Sequence, residues 1–222
     1  MFEKSSICLH FSMPELFVIT GPNGAGKSSN ANVLIPKPTV SPVFDGDKLF
    51  YHLLDKHYKV TKVAKQAREL AEDELQLIFA EQVGKAISGN LDYAYEGHFN
   101  TENSWQNIRK FREAGYKINM TFLALDNVNT SLQRVAVRVS QGGHYVAPAH
   151  IYENFYGNIK FLDQNLSLID QLTIIDNSSI NSVHILTLEN AKISFIRKTK
   201  LPAWMKNDMP ELMKIIMHCD KN

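Results

Sequence analysis

Four short stretches carry the residue types that chemistry needs. "GPNGAGKS", residues 21–28, has the spacing G-x-x-x-x-G-K-S. Glycines at 21, 24 and 26 let successive backbone N–H groups turn inward around a phosphate. Lys27 then reaches the terminal phosphates, and Ser28 is placed to ligate Mg²⁺. The nucleotide-contacting set is therefore Gly21, Pro22, Asn23, Gly24, Ala25, Gly26, Lys27, Ser28 and Ser29. "FDGDKLF", 44–50, supplies two carboxylates, Asp45 and Asp47. Phosphoryl transfer to a hydroxyl needs a carboxylate to orient and deprotonate that hydroxyl, although Asp45 is also placed to cap a following helix. "YEGHF", 95–99, offers Glu96 as an acceptor for substrate hydroxyls and His98 beside it. In "QRVAVRVSQGGHYVAP", 133–148, Arg134 and Arg138 are four apart and share a helix face. Paired guanidiniums suit charge developing on a moving phosphoryl group, and Gly142-Gly143 would let a lid over 134–150 flex. His144 and Tyr145 are weaker candidates for the same cleft.

These clusters need a scaffold that brings them to one edge. "LFVIT", 16–20, reads as a buried parallel strand feeding the loop, with a helix from 27 to about 34 stopped by Pro36 and Pro38. Further strands are expected at 39–44, 91–95, 117–125 and 171–176. Helices are expected over 47–57, 61–88, 101–114, from an Asn127 or Asn129 cap to about 141, and 149–165. The 61–88 helix shows one apolar stripe: Val63, Ala67, Ala71, Leu75, Phe79, Val83, Ile87. Beyond 178, two alternating segments predict a hairpin and 203–217 a final helix. Trp105 and Trp204 are read as packing residues. Strands alternating with helices predict an α/β three-layer sandwich, a mostly parallel five-stranded sheet covered on both faces. In such sheets ligands collect at the carboxyl ends of the strands, where the first three clusters fall. The expected organisation is an extension over 1–12, a core over 13–178 and a C-terminal hairpin and helix over 179–222 within the same domain.

Composition narrows the class. At 222 residues, with 44% hydrophobic and 21% charged residues, the chain reads as one ordinary globular domain. A formal net charge of +1 gives no polybasic footprint for nucleic acid or anionic membrane. Two cysteines outside any metal-binding spacing point to a reducing, cytoplasmic setting. No apolar run approaches the roughly 18 residues that span a bilayer, and there are no repeats.

The order of motifs carries a resemblance. G-x-x-x-x-G-K-S, then D-x-D after the second strand, then a strand ending E-G, then R-x-x-x-R-x-x-x-G-G-H-x-V-x-P resembles the zeta toxin family of P-loop kinases over about 14–177. That resemblance implies a P-loop kinase-like fold, ATP or GTP with Mg²⁺, and transfer to the sugar 3′-hydroxyl of UDP-N-acetylglucosamine. It implies an antitoxin partner. It assigns Lys27 and Ser28 to phosphate and Mg²⁺, Asp47 to the base, Glu96 to the sugar, and Arg134 with Arg138 to the lid. Two positions depart from the pattern: His98 stands where relatives often carry Thr, and Asn154 where an Arg follows the lid.

Two other readings of the loop compete. A transporter-type ATPase would need an L-S-G-G-Q signature and an apolar strand ending Asp-Glu, and the chain has neither; "FLALDN" is the nearest approach. A nucleotide-binding regulatory module without small-molecule kinase activity needs only the loop.

Overall fold

The computed structural model describes residues 13–35 and 42–219. The expected extension over 1–12, the prolines at 36 and 38, and the first half of the expected strand over 39–44 lie outside the described residues.

β1 (Glu15–Thr20) is buried along almost its whole length because it has a strand on either side and helices above and below. β2 (Phe44–Asp45), β3 (Tyr93–Gly97), β4 (Lys117–Ala124), β5 (Gln171–Asp176), β6 (Val183–Glu189) and β7 (Lys192–Ile196) complete one sheet in the order β2-β3-β1-β4-β5-β6-β7. The first five are mutually parallel. The C-terminal hairpin does not stand apart from a five-stranded sheet, as the sequence suggests; it extends that sheet to seven strands. β6 runs antiparallel along β5 from Asp176 opposite Val183 to Gln171 opposite Glu189, and β7 pairs antiparallel with β6. The edge of β5 would otherwise present unpaired N–H and C=O groups. Asn190 and Ala191, with φ of 50° and 59°, make the tight two-residue turn that the hairpin requires.

On β4 and β5 one face is apolar and buried, with Ile118, Met120, Phe122, Leu172 and Ile174. The other carries Asn119, Thr121, Gln171 and Thr173, only partly covered. Successive side chains of a strand point to opposite faces, so this alternation marks one face as less deeply packed than the other.

α1 (Lys27–Leu34) starts within the glycine loop. α2 (Gly46–Thr61) runs a turn beyond expectation and ends at Lys62 in the left-handed region. α3 (Ala64–Gly89) buries Ala67, Ala71 and Val83 of the expected stripe, together with Ala86. Lys56 and His57 of α2 share Glu74 of α3, each at 2.7 Å, and Phe79 stacks on Phe44 at 4.8 Å. α4 (Gln106–Glu113) follows a 3-10 turn whose Thr101 and Ser104 form a reciprocal cap. α5 (Val128–Ser140) is capped by Asn127, which accepts from Thr130 N at 3.0 Å. α6 (Pro148–Gln164) buries Ile151, Phe155, Ile159 and Leu162.

The expected C-terminal helix is two, α7 (Ala203–Asp208) and α8 (Pro210–Cys219). Met209 precedes a proline, which disfavours the helical region, and it sits at φ −126°. Asp163 of α6 accepts from Glu211 N at 3.0 Å and Leu212 N at 2.8 Å, so a buried carboxylate fixes the start of α8. Trp105 and Trp204 are buried, as packing residues should be. Among the described residues, no helix is long and apolar enough to cross a membrane.

Candidate active site

β1, β3 and β4 end on the same side of the sheet, and the glycine loop leaves β1 there. Gly21 has φ 144°, and a Cβ at that position would lie 2.2 Å from the Leu123 carbonyl oxygen at the end of β4. Only glycine fits so close an approach. The loop is then held from outside. Ser131 Oγ donates to Asn23 O at 2.5 Å, Arg134 Nη1 to Gly24 O at 3.2 Å, and Asn177 Nδ2 to Ala25 O at 2.7 Å. In a trans peptide the N–H points opposite to the preceding carbonyl. Outward-tied carbonyls at Asn23 and Ala25 therefore turn the Gly24 and Gly26 N–H groups toward the hollow of the loop. Lys27 folds back over that hollow, donating to Gly21 O at 2.9 Å and Pro22 O at 3.2 Å. Burial lowers its pKa to about 8; Asp47 and Glu96 work against the shift, and Arg138 adds to it. Ser28 and Ser29, both exposed, open α1 on the solvent side.

The carboxylates divide into three environments. Asp45 lies opposite Glu96 in the β2–β3 register. Its Oδ1 accepts from Lys48 N at 2.9 Å, so it is the N-cap of α2. Glu96 is buried; Ser28 Oγ donates to its Oε1, and its Oε2 has no hydrogen-bond partner among the described residues. Burial raises the Glu96 pKa to about 7; the Ser28 bond opposes this and Asp45 reinforces it. Asp47, in the first turn of α2, is the open one, with a side chain 77% exposed. Its Oδ2 lies 4.0 Å from His98 Nε2. The His98 ring is partly buried beside the loop, with Nε2 3.3 Å from Asn23 Nδ2. Burial, then the Lys27 charge, hold its pKa well below 6.5, so the ring is neutral.

Arg134 and Arg138 do different things despite sharing a helix. Arg134 bridges the loop to the segment after β5, with Nη2 donating to Ser178 O at 2.9 Å. Arg138 is exposed, donates from Nη2 to His144 O at 3.3 Å, and adds positive potential at Lys27 and His98. The Gly142-Gly143 turn closes α5 through Gly143 N to Arg138 O at 2.9 Å. His144 stacks on Tyr51 of α2 with ring centroids 3.3 Å apart and planes 5° from parallel. The segment expected to act as a lid is thus fastened to the helix that carries Asp47, while Tyr145 is exposed and outside the cluster.

Several further residues reach the site; of these the sequence singles out Asn154, for the absence of an arginine and not for the contacts it makes. Asn154 donates to Asn23 Oδ1 at 2.8 Å and accepts from Asn100 Nδ2 at 2.7 Å. Asn158 accepts from Thr20 Oγ1 at 2.8 Å and Phe99 N at 3.0 Å. Asn177, Ser178, Ser131 and Tyr51 join them. A signal did exist for the first two: amides four apart on a helix face otherwise occupied by Ile151, Phe155 and Ile159.

A strand, glycine loop and helix at the centre of a mostly parallel sheet, with carboxylates and arginines gathered at the carboxyl ends of its strands, define a P-loop kinase-like protein. The chain belongs to the zeta toxin family, whose sequence profile matches residues 1–188. No curated protein matches it. Among solved structures it is similar to the PezAT chromosomal toxin–antitoxin system of Streptococcus pneumoniae, with 15% identity, a TM-score of 0.53, and 95% of this chain matched to 85% of that one. It is also similar to the AvrRxo1-ORF1:-ORF2 complex with ATP, at 14% identity and TM-score 0.59 over 90% of this chain and 64% of that one. The Pnkp1/Rnl/Hen1 RNA repair complex matches at 15% identity and TM-score 0.53, over 72% of this chain and 49% of that one. At these identities what is shared is the fold.

Proposed function

We propose that this protein is an ATP- and Mg²⁺-dependent phosphotransferase acting on a hydroxyl of a small molecule, with UDP-N-acetylglucosamine as the acceptor that family membership favours. The observation that carries the reading is the convergence of Asp47, His98 and Lys27 at the mouth of the glycine loop, with Asp47 Oδ2 4.0 Å from His98 Nε2. An exposed carboxylate beside a phosphate-binding loop is placed for an incoming hydroxyl, which a purely nucleotide-binding module does not need.

In the reaction the acceptor oxygen forms a bond to the γ-phosphorus, the bond from that phosphorus to the β–γ bridging oxygen breaks, and ADP leaves with the electron pair. The hydroxyl proton passes to Asp47. Lys27 leaves the Gly21 and Pro22 carbonyls for the phosphates, and with Arg138 it offsets the charge that develops on the phosphoryl oxygens. Arg134 acts by holding the loop. Glu96, buried on the strand beside the loop, is the carboxylate that the family resemblance gives to the acceptor.

The Mg²⁺ fits this donor set. Ser28 Oγ and the Glu96 carboxylate are hard oxygen ligands side by side, and among the described residues no group of three or more His, Cys, Asp or Glu could hold a metal ion. A magnesium ion there would be held by one or two protein oxygens plus the phosphates of the substrate, and would supply neutralisation of phosphate charge. The PezAT neighbour is a toxin–antitoxin system, and we extend that to this chain as an antitoxin partner and a cytoplasmic setting.

A second reading, nucleotide hydrolysis or sensing without an acceptor, is favoured by one observation. Asn154, where the family resemblance leads one to expect an arginine, is engaged with other amides and adds no positive charge. Incubation with labelled ATP, Mg²⁺ and a panel of sugar nucleotides and small alcohols, read by mass spectrometry, separates the two. A phosphorylated UDP-N-acetylglucosamine is the expected product. Its absence removes that acceptor, and phosphate release with no acceptor modified supports the second reading.

A further inference from the structure

We propose that Asn154 is a positioning residue, locking Asn23 of the phosphate loop and Asn100 beyond His98 into one hydrogen-bonded chain that fixes the two sides of the cleft relative to each other. Asn100 Nδ2 donates to Asn154 Oδ1 at 2.7 Å, Asn154 Nδ2 donates to Asn23 Oδ1 at 2.8 Å, and Asn23 Nδ2 lies 3.3 Å from His98 Nε2. The chain therefore starts and ends on the same short segment after β3, and passes through the glycine loop on the way.

Asn154 is itself held. Its backbone carbonyl accepts from Asn158 Nδ2 at 2.5 Å, and Asn158 is anchored by Thr20 Oγ1 and the Phe99 N–H. Gly157 lets α6 come this close, since a Cβ there would be 2.8 Å from both Cβ and O of Asn100. Asn23 O is fixed separately by Ser131. What Asn154 holds is the Oδ1 end of the Asn23 amide, and with it the Nδ2 that faces His98 Nε2. An amide side chain freed at one end of a partly buried chain turns to solvent, and its neighbours lose their partners in sequence.

The catalytic consequence rests on the phosphotransfer reading above; the binding and spectroscopic consequences need no acceptor. The test uses the full chain with Mg²⁺ and a fluorescent N-methylanthraniloyl-ATP, together with the NMR resonances of the His98 ring. Asn154→Ala is expected to keep the circular dichroism of wild type, bind the nucleotide about tenfold more weakly, and shift the His98 ring resonances. Asn154→Leu, which keeps the branched four-atom side chain without its polar atoms, is expected to give the same result and guards against collapse of the α6 contact. Asn154→Gln, which restores an amide, recovers part of the affinity, which lost packing alone would not explain. Wild-type affinity and an unmoved His98 ring in the Ala and Leu variants overturn the proposal while leaving the nucleotide site intact. A wild-type chain that binds no nucleotide removes both the proposal and the phosphotransfer reading.

Discussion

The Ser28 hydroxyl donates a hydrogen bond to Oε1 of Glu96. The last residue of the loop signature and a carboxylate on the neighbouring strand are therefore one unit, and each sets the state of the other. The bond favours the ionised carboxylate, yet burial outweighs it, and Glu96 titrates near 7. An exposed carboxylate would not behave in this way, and the difference is measurable.

Between its ordinary value of 4.5 and about 7, Glu96 in the folded chain holds a proton that the unfolded chain has released. The stability contributed by protonated Glu96 is complete below the lower value and is lost as pH rises through the upper one. Relative to wild type, Glu96→Gln should gain thermal stability as pH is raised from about 5 to about 8 in the presence of chelator. His98, whose lowered pKa works in the opposite direction, is common to both proteins and cancels in the difference. A Tm difference independent of pH would show that Glu96 is an ordinary carboxylate.

Asp47 is 77% exposed, and its Oδ2 lies 4.0 Å from His98 Nε2. Asp47→Ala should stay within about 0.5 kcal/mol of wild-type stability, keep nucleotide affinity, and lose at least about a hundredfold in transfer rate. Urea denaturation, nucleotide titration and product formation on one preparation check all three. Transfer at the wild-type rate would remove Asp47 from the reaction.

The two arginines should separate. Arg134 holds Gly24 O and Ser178 O, so Arg134→Ala should cost about 2 kcal/mol of stability and weaken nucleotide binding. Arg138 is exposed, and among the described residues its hydrogen bond goes to the His144 carbonyl. Arg138→Ala should leave Tm nearly unchanged and lower kcat more than it raises the KM for ATP. Equal losses of stability in the two variants would contradict this division.

Tyr51 holds the segment after α5 through the stack with His144. Tyr51→Ala should speed amide hydrogen exchange over residues 141–147 without affecting the strands of the sheet. Unchanged exchange there would mean that the Arg138–His144 hydrogen bond suffices to hold the segment.

Local sequence settled a good deal. A glycine at each strained turn, an apolar run before the loop and a helix after it define the phosphate loop from neighbours alone, because those requirements are set within a few residues. The stripe at Ala67, Ala71 and Val83 was legible for the same reason, although Val63 at its start is exposed, and of the two candidate caps, Asn127 and Asn129, the first is the one used. Tertiary structure decided the rest. Nothing local says that the hairpin after residue 178 would extend the sheet, because edge pairing depends on which strand edge is left open. The local pattern offered Asp45 as a helix cap, but that Asp47, two residues on, is left open to solvent beside His98 is decided by how α2 packs against the segment after β3. Asn154 meets Asn23 across 131 residues of chain. Whether an amide faces water or the phosphate loop is fixed by how closely α6 packs, and packing is a property of the whole fold.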